Sequence, residues 1–210
     1  MAGNCSRPAA IPTISKVDCG INLGQIVAVI FQRRQPTAPF ATEAALKTKA
    51  AWDAFLLALD ATRAQKTPEF AGFKIPGSEA VYVGENSNES IDGQGTFVGY
   101  NAVKVTGQFQ STPPDIITAL RGYEGESAPG LTDGLTAYFI TGDRRIVAKK
   151  YDGGTSLSGI PVSNFNIGSR NLEGFRTLDS NAFGLTLAPD WDRDLVIVTP
   201  SFDPRALLNA

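Results

Sequence analysis

The sequence predicts a mainly β fold, an antiparallel β-sandwich or barrel with one long and one short α-helix. Three observations carry this. From residue 78 onward, runs rich in Val, Tyr and Phe place apolar residues in two-residue steps, the period of a strand with one buried face. Glycine (21) and proline (13) are plentiful and punctuate those runs. Helical spacing is confined to 42–63 and 115–121.

Residues 1–20 read as an extended arm, punctuated by Pro8, Pro12 and Gly20, and 21–210 as a single β-rich domain. Residues 21–32 read as the first strand. Its core, "IVAVIF", does not alternate, so both faces are expected to be buried, either between two layers of one chain or beneath a neighbouring subunit. "TEAALKTKAAWDAFLLALDATR" (42–63) is the long helix. Thr42 is placed to cap it, and Ala45, Leu46, Trp52, Phe55, Leu56 and Leu59 form its apolar stripe. The following "QKTPEFAGFKIPG" ends it.

"EAVYVGE" and "GTFVGYNAVKVTGQFQ" read as strands, and "NSNESIDGQG" between them as a polar hairpin tip or longer loop. In "STPPDIITALRG", Thr112 is a candidate cap, the prolines suit a helix entry, Asp115 complements the dipole, and Gly122 is the stop. "LTAYFITGDRRIVAKK" is a hairpin; Gly142-Asp143 is expected to make a type II′ turn with glycine first. The return strand places Ile146 and Ala148 on one face and Arg145, Val147 and Lys149 on the other. "IPVSNFNIGSRN", "NAFGLTLAPD" and "DLVIVTPSFDP" supply the last strands, and Pro204–Leu208 one helical turn.

Composition narrows the function. The hydrophobic share is 42%, enough for a packed core. The net charge of −2 and pI near 5.2 disfavour a general electrostatic nucleic-acid binder. No stretch has the form of a secretory signal or a membrane span, so synthesis in the cytoplasm is expected. Cys5 and Cys19 fit a reducing compartment better than a disulfide framework. Histidine is absent, which removes a His base, a His-ligated zinc and a Ser-His-Asp triad. No catalytic residue and no cofactor is expected.

The candidate sites are few. Asp190, Asp192 and Asp194 share one face if "PDWDRDL" is extended, a weak calcium or magnesium candidate that lacks the glycine turn and terminal glutamate of a calcium loop. The competing reading is a solvated strand end with Trp191 and Arg193 turned inward. The glycines of "GQGTFVG", at 93, 95 and 99, miss the phosphate-loop spacing and mark bulges. Trp52 is expected in the core.

The order of strand, proline-opened helix and hairpin in "KVTGQFQSTPPDIITALRG", "LTAYFITGDRRIVAKK" and "FGLTLAPDWDRDLVIVTPSFDP" resembles the tail-tube family of tailed-bacteriophage virion proteins. The opening "IPTISKVDCGINLGQIVAVIFQRR" is similar to openings in structural proteins of phages infecting Bacteroidota. The resemblance implies a virion protein whose subunits join sheets edge to edge into a ring, commonly a hexamer. Rings would stack into a tube with DNA as passing cargo, other virion proteins at its ends and no membrane partner. Its implied subunit-interface residues are Ile26, Val27, Val29, Phe31, Arg33 and Arg34, with Asn86, Asn88 and Asp92 in an inter-ring or luminal loop. The early position of the 42–63 helix departs from a minimal tube protein and leaves a neck, tail-terminator or capsid-associated role open. A carbohydrate-binding β-sandwich module is the reading of another class, with Trp191 and Tyr151 beside the Asp190–Asp194 cluster.

Overall fold

The computed structural model describes residues 24–84, 95–172, 174 and 178–209. The arm at 1–20, Cys5, Cys19, Asn86, Asn88 and Asp92 lie outside them. In chain order the elements are strand β1 (Ile26–Arg33), helices α1 (Glu43–Leu46) and α2 (Lys49–Leu56), and strands β2 (Ala64–Lys66), β3 (Ala71–Lys74), β4 (Ala80–Val83), β5 (Thr96–Tyr100) and β6 (Val103–Gln110). Helices α3 (Pro114–Arg121) and α4 (Tyr123–Glu126) follow. Strands β7 (Leu135–Thr141), β8 (Ile146–Lys150), β9 (Leu157–Ser158), β10 (Ile160–Asn171), β11 (Ser180–Leu187) and β12 (Leu195–Val198) complete the fold. A 3-10 turn at Pro204–Ala206 comes after them.

Every ladder among the described residues is antiparallel. Strand β7 is the hub. It pairs along its length with β1, and on its other side with β10 at its start and β8 at its end. β2 lies outside β1 and β12 outside β8. β10 then runs on into a second group, β10–β11–β6–β3. Its 12 residues carry two register shifts, and Asn164 takes a left-handed φ of 52°, which asparagine tolerates.

Two apolar clusters lie on the two faces of the β1–β7 pair. Val29, Phe31, Leu135, Ala137 and Phe139 face one cluster, shared with β6, β10, β11 and Ile117 and Leu120 of α3. Ala28, Ile30, Tyr138 and Ile140 face the other, covered by Phe40, Leu46, Trp52 and Leu56. The unbroken apolar run of β1 is thus buried on both faces by its own chain. A β-bulge between Ile26 and Ala28 puts Val27 and Ala28 toward the same side, which the simple two-residue period does not foresee. Each such fully buried large side chain contributes about 1.5–3 kcal/mol.

The long helix is not formed as one piece. Thr42 does cap, accepting from Ala45 N at 3.3 Å. The chain then breaks at Lys47–Thr48, where Thr48 is extended and its hydroxyl donates to Ala45 O at 2.9 Å, competing with helix continuation. α2 stops at Leu56. Asp60 makes an Asx turn, accepting from Thr62 N at 2.8 Å, and sends the chain into β2. Leu59, expected on the stripe, is 90% exposed. Two strands, β2 and β3, occupy the stretch read as a helix end and loop.

The smaller helix starts with Pro114, and Asp115 sits in its first turn. Thr112 does not cap it; its hydroxyl donates to Gln110 O at 3.2 Å. Gly122 does not stop the chain's helical course, since α4 begins at Tyr123. The β7–β8 turn also differs from expectation. The left-handed residue is Arg144 (φ 66°), not Gly142, and Thr141 O accepts from Arg144 N at 3.0 Å. This is a turn closed by a left-handed third residue, the common three-residue hairpin loop.

Candidate assembly surfaces

The expected interface residues separate by strand alternation. Ile26, Val29 and Phe31 are 7%, 1% and 2% exposed, so their side chains lie in the core of their own chain. Val27 is half-buried against the helix-covered cluster. Arg33 and Arg34, adjacent at the exit of β1, line different pockets.

Arg33 lies on a groove between β1–β2 and α3–α4 with a volume of about 620 Å³, walled by Phe31, Leu59, Ala119 and Tyr123. Its guanidinium donates from Nε to Glu126 Oε2 at 2.7 Å and from Nη2 to Oε1 at 2.5 Å. This fork ties the end of β1 to α4 and holds the Glu126 carboxyl below the usual glutamate range. Burial pushes the Tyr123 phenol up. The buried Gln65 Nε2 beside this groove has no hydrogen-bond partner among the described residues.

Arg34 lines a second, polar cleft of about 320 Å³ together with Lys149, Lys150, Tyr151, Asp190, Arg193 and Asp194. The segment at 189–194 is a turn, so Asp190, Asp192 and Asp194 do not share a strand face. Among the described residues no group of three or more His, Cys, Asp or Glu is placed to hold a metal ion. Trp191 turns inward, its ring 6.4 Å from Phe139. Arg193 does not: its side chain is 76% exposed, with Nε 3.8 Å from Asp194 Oδ2. Trp52 is wholly buried, with its Nε1 donating to Leu46 O at 2.9 Å.

Two further surfaces are made from strands expected from the sequence, and the tertiary structure leaves them exposed. The first is the β4–β5 hairpin, which forms its own two-stranded sheet. Tyr82, Phe97 and Tyr100 form a ridge on it, with ring centroids 5.8 and 5.1 Å apart, and they are 48%, 49% and 55% exposed. Val98 is the extra residue of a bulge beside Gly99, as the glycine spacing suggested. A hairpin with no layer packed on it is marginal in water.

The second is the outer edge of β12. Lys150 N donates to Asp194 O at 3.0 Å, which sets the alternation of the ladder. Val196 and Val198 then bond to β8, and the N–H and C=O of Leu195 and Ile197 point away from it. No hydrogen bond takes these groups up among the described residues. The strand, "LVIV", has no charge, proline or bulge to protect it. The signal was present as an uncharged apolar run, but a run does not say which strand ends the sheet.

Among the described residues no helix is long and apolar enough to cross a membrane. No family model matches the chain, and no curated protein matches it. Among solved structures the chain is similar to one described as "Virion of native gene transfer agent (GTA) particle". The identity is 14% and the TM-score 0.33, over 64% of this chain and 88% of that chain.

Proposed function

We propose that this chain is a structural subunit of a tailed-phage virion, of the tail-tube kind, that assembles with copies of itself into stacked rings around a passage for DNA. The observation that carries this reading is the edge of β12, open among the described residues. A strand from a neighbour would satisfy the outward groups of Leu195 and Ile197 and extend the sheet across the subunit boundary. Such a head-to-tail contact closes into a ring when its rotation allows. The β4–β5 ridge supplies a second contact, toward the next ring, and Asn86, Asn88 and Asp92 fall in the sequence between its two strands. Arg34, and Val27 beside the β1 bulge, remain candidate contact residues. The sequence resemblance supports the same reading, and the protein is not expected to be an enzyme.

Negative-stain electron microscopy with light scattering tests this. Long tubes with a regular axial repeat support it. Single closed rings favour the neck or tail-terminator role. A monomer at all concentrations, with Ile197→Pro behaving like the parent, overturns the edge-pairing reading.

A second reading, a carbohydrate-binding module, draws on the meeting of Tyr151, Asp190 and Asp194 in the polar cleft. The inward turn of Trp191 removes the aromatic platform that reading needs. Glycan binding lost on replacing Asp190 and Asp194 by alanine is its test.

A further inference from the structure

The free edges of this fold are treated differently. β3 carries a register shift and Gly72 at φ 64°, and ends in Lys74, all features that discourage pairing. β12 has none of these. β2 is covered by a device of another kind. The side-chain amide of Asn209 sits against its outer edge, where Nδ2 donates to Lys66 O at 2.7 Å and Oδ1 accepts from Lys66 N at 2.7 Å. One primary amide thus satisfies both main-chain groups of an edge residue, as a peptide unit of a neighbouring strand would.

The segment that delivers Asn209 is itself held at several points. Leu207 is buried at 1% exposure in the helix-covered core. Arg205 forks onto Glu69, from Nε to Oε1 at 2.7 Å and from Nη2 to Oε2 at 2.9 Å. Asp203 Oδ1 accepts from Arg205 N at 3.0 Å, and Lys66 Nζ donates to Arg205 O. The Lys66 side chain therefore pins the segment whose Asn209 caps the Lys66 main chain.

We propose that residues 203–209 are an edge guard: Asn209 occupies the outward main-chain groups of Lys66 and so keeps the β2 edge from accepting a strand of a second copy. Resting on the assembly reading above, this keeps β2 from competing with β12 for a strand of a neighbouring copy. The guard would work by occupancy, so its removal is expected to add a mode of association, not abolish one.

The test compares the parent, Asn209→Ala, Ile197→Pro and the double variant. Amide hydrogen exchange at Lys66 and sedimentation velocity over a concentration series are the readouts, with circular dichroism to establish folding. In Asn209→Ala the Lys66 amide is expected to exchange roughly tenfold faster, the loss of one ordinary hydrogen bond. Asn209→Ala is expected to associate at lower concentration than the parent, and the double variant to associate where Ile197→Pro does not. Asn209→Asp keeps the acceptor and loses the donor, and gives an intermediate result if the cap acts as described. A Lys66 amide as protected in Asn209→Ala as in the parent overturns the cap. A deprotected Lys66 with no added association overturns the guard. A parent that never associates sinks the β12 reading alone, because the guard is then judged on whether Asn209→Ala associates.

Discussion

Phe183 lays its ring across Gly107, its direct partner in the β11–β6 ladder. A Cβ at residue 107 would lie 2.6 Å from Phe183 Cζ and 2.7 Å from Cε1. The glycine is there because the ring needs the space. Phe183 also meets Phe109 at 4.6 Å and Phe70 at 5.0 Å, so it cannot move aside without disturbing the shared core. Gly107→Ala is therefore expected to cost about 1–3 kcal/mol, read as a lower urea midpoint at unchanged slope.

Trp52 is the anchor of the helix-covered core, with Phe40 at 4.7 Å and Tyr138 at 5.0 Å. Trp52→Ala is expected to destabilise by about 3–5 kcal/mol. Trp52→Phe keeps the ring contacts and leaves the Leu46 carbonyl without its donor, for a smaller loss of about 1–3 kcal/mol. Fluorescence of the remaining Trp191 follows both unfolding curves.

On the acid side of neutrality, the pH dependence of stability is expected to come from carboxylates. Glu126 and Glu69 are held below the usual glutamate range by hydrogen bonds from Arg33 and Arg205. A carboxyl whose folded pKa is lowered contributes stability above its unfolded pKa, and that contribution disappears as pH falls through the folded value. Both forks are solvent-exposed, so screening leaves each with only a small contribution. With no histidine in the chain, the urea midpoint should be flat from about pH 5.5 to 7.5 and fall below about pH 4.5. A midpoint that shifts near pH 6.5 contradicts this.

The hairpin ridge is expected to matter for association and not for folding. Tyr82→Ser combined with Phe97→Ser removes two rings that lie outside both core clusters. The thermal midpoint should change little. The particle size in light scattering should fall if the ridge seats on another copy. Equal association by variant and parent removes the hairpin from the contact.

Much of this protein is legible from local pattern. The double burial of "IVAVIF", the alternation of Ile146 and Ala148 against Val147, the span Ile160–Asn171 and the proline-opened α3 follow from periodicity and from the fixed φ of proline. These are properties of a few neighbouring residues, and short-range sterics decide them. The break at Thr48 is less legible, because good helix formers flank it on both sides and the bonds of Thr48 to Ala45 O are local competitors of the helix. The same holds for the turn at 142–144, where the left-handed position fell to Arg144 despite the glycine two residues before it.

The candidate surfaces were less legible, for a different reason. That Arg33 meets Glu126, 93 residues away, and that Asn209 caps Lys66, 143 residues away, are facts of topology. So is the position of β12 at the end of its sheet, which alone makes its uncharged sequence exposed to pairing. Local pattern alone implies a β-rich chain that buries its first strand on both faces and has no histidine chemistry. Which edges stay open and which are covered is set by the fold. Edge status depends on the order of strands across the sheet, and no residue carries that order in its own side chain.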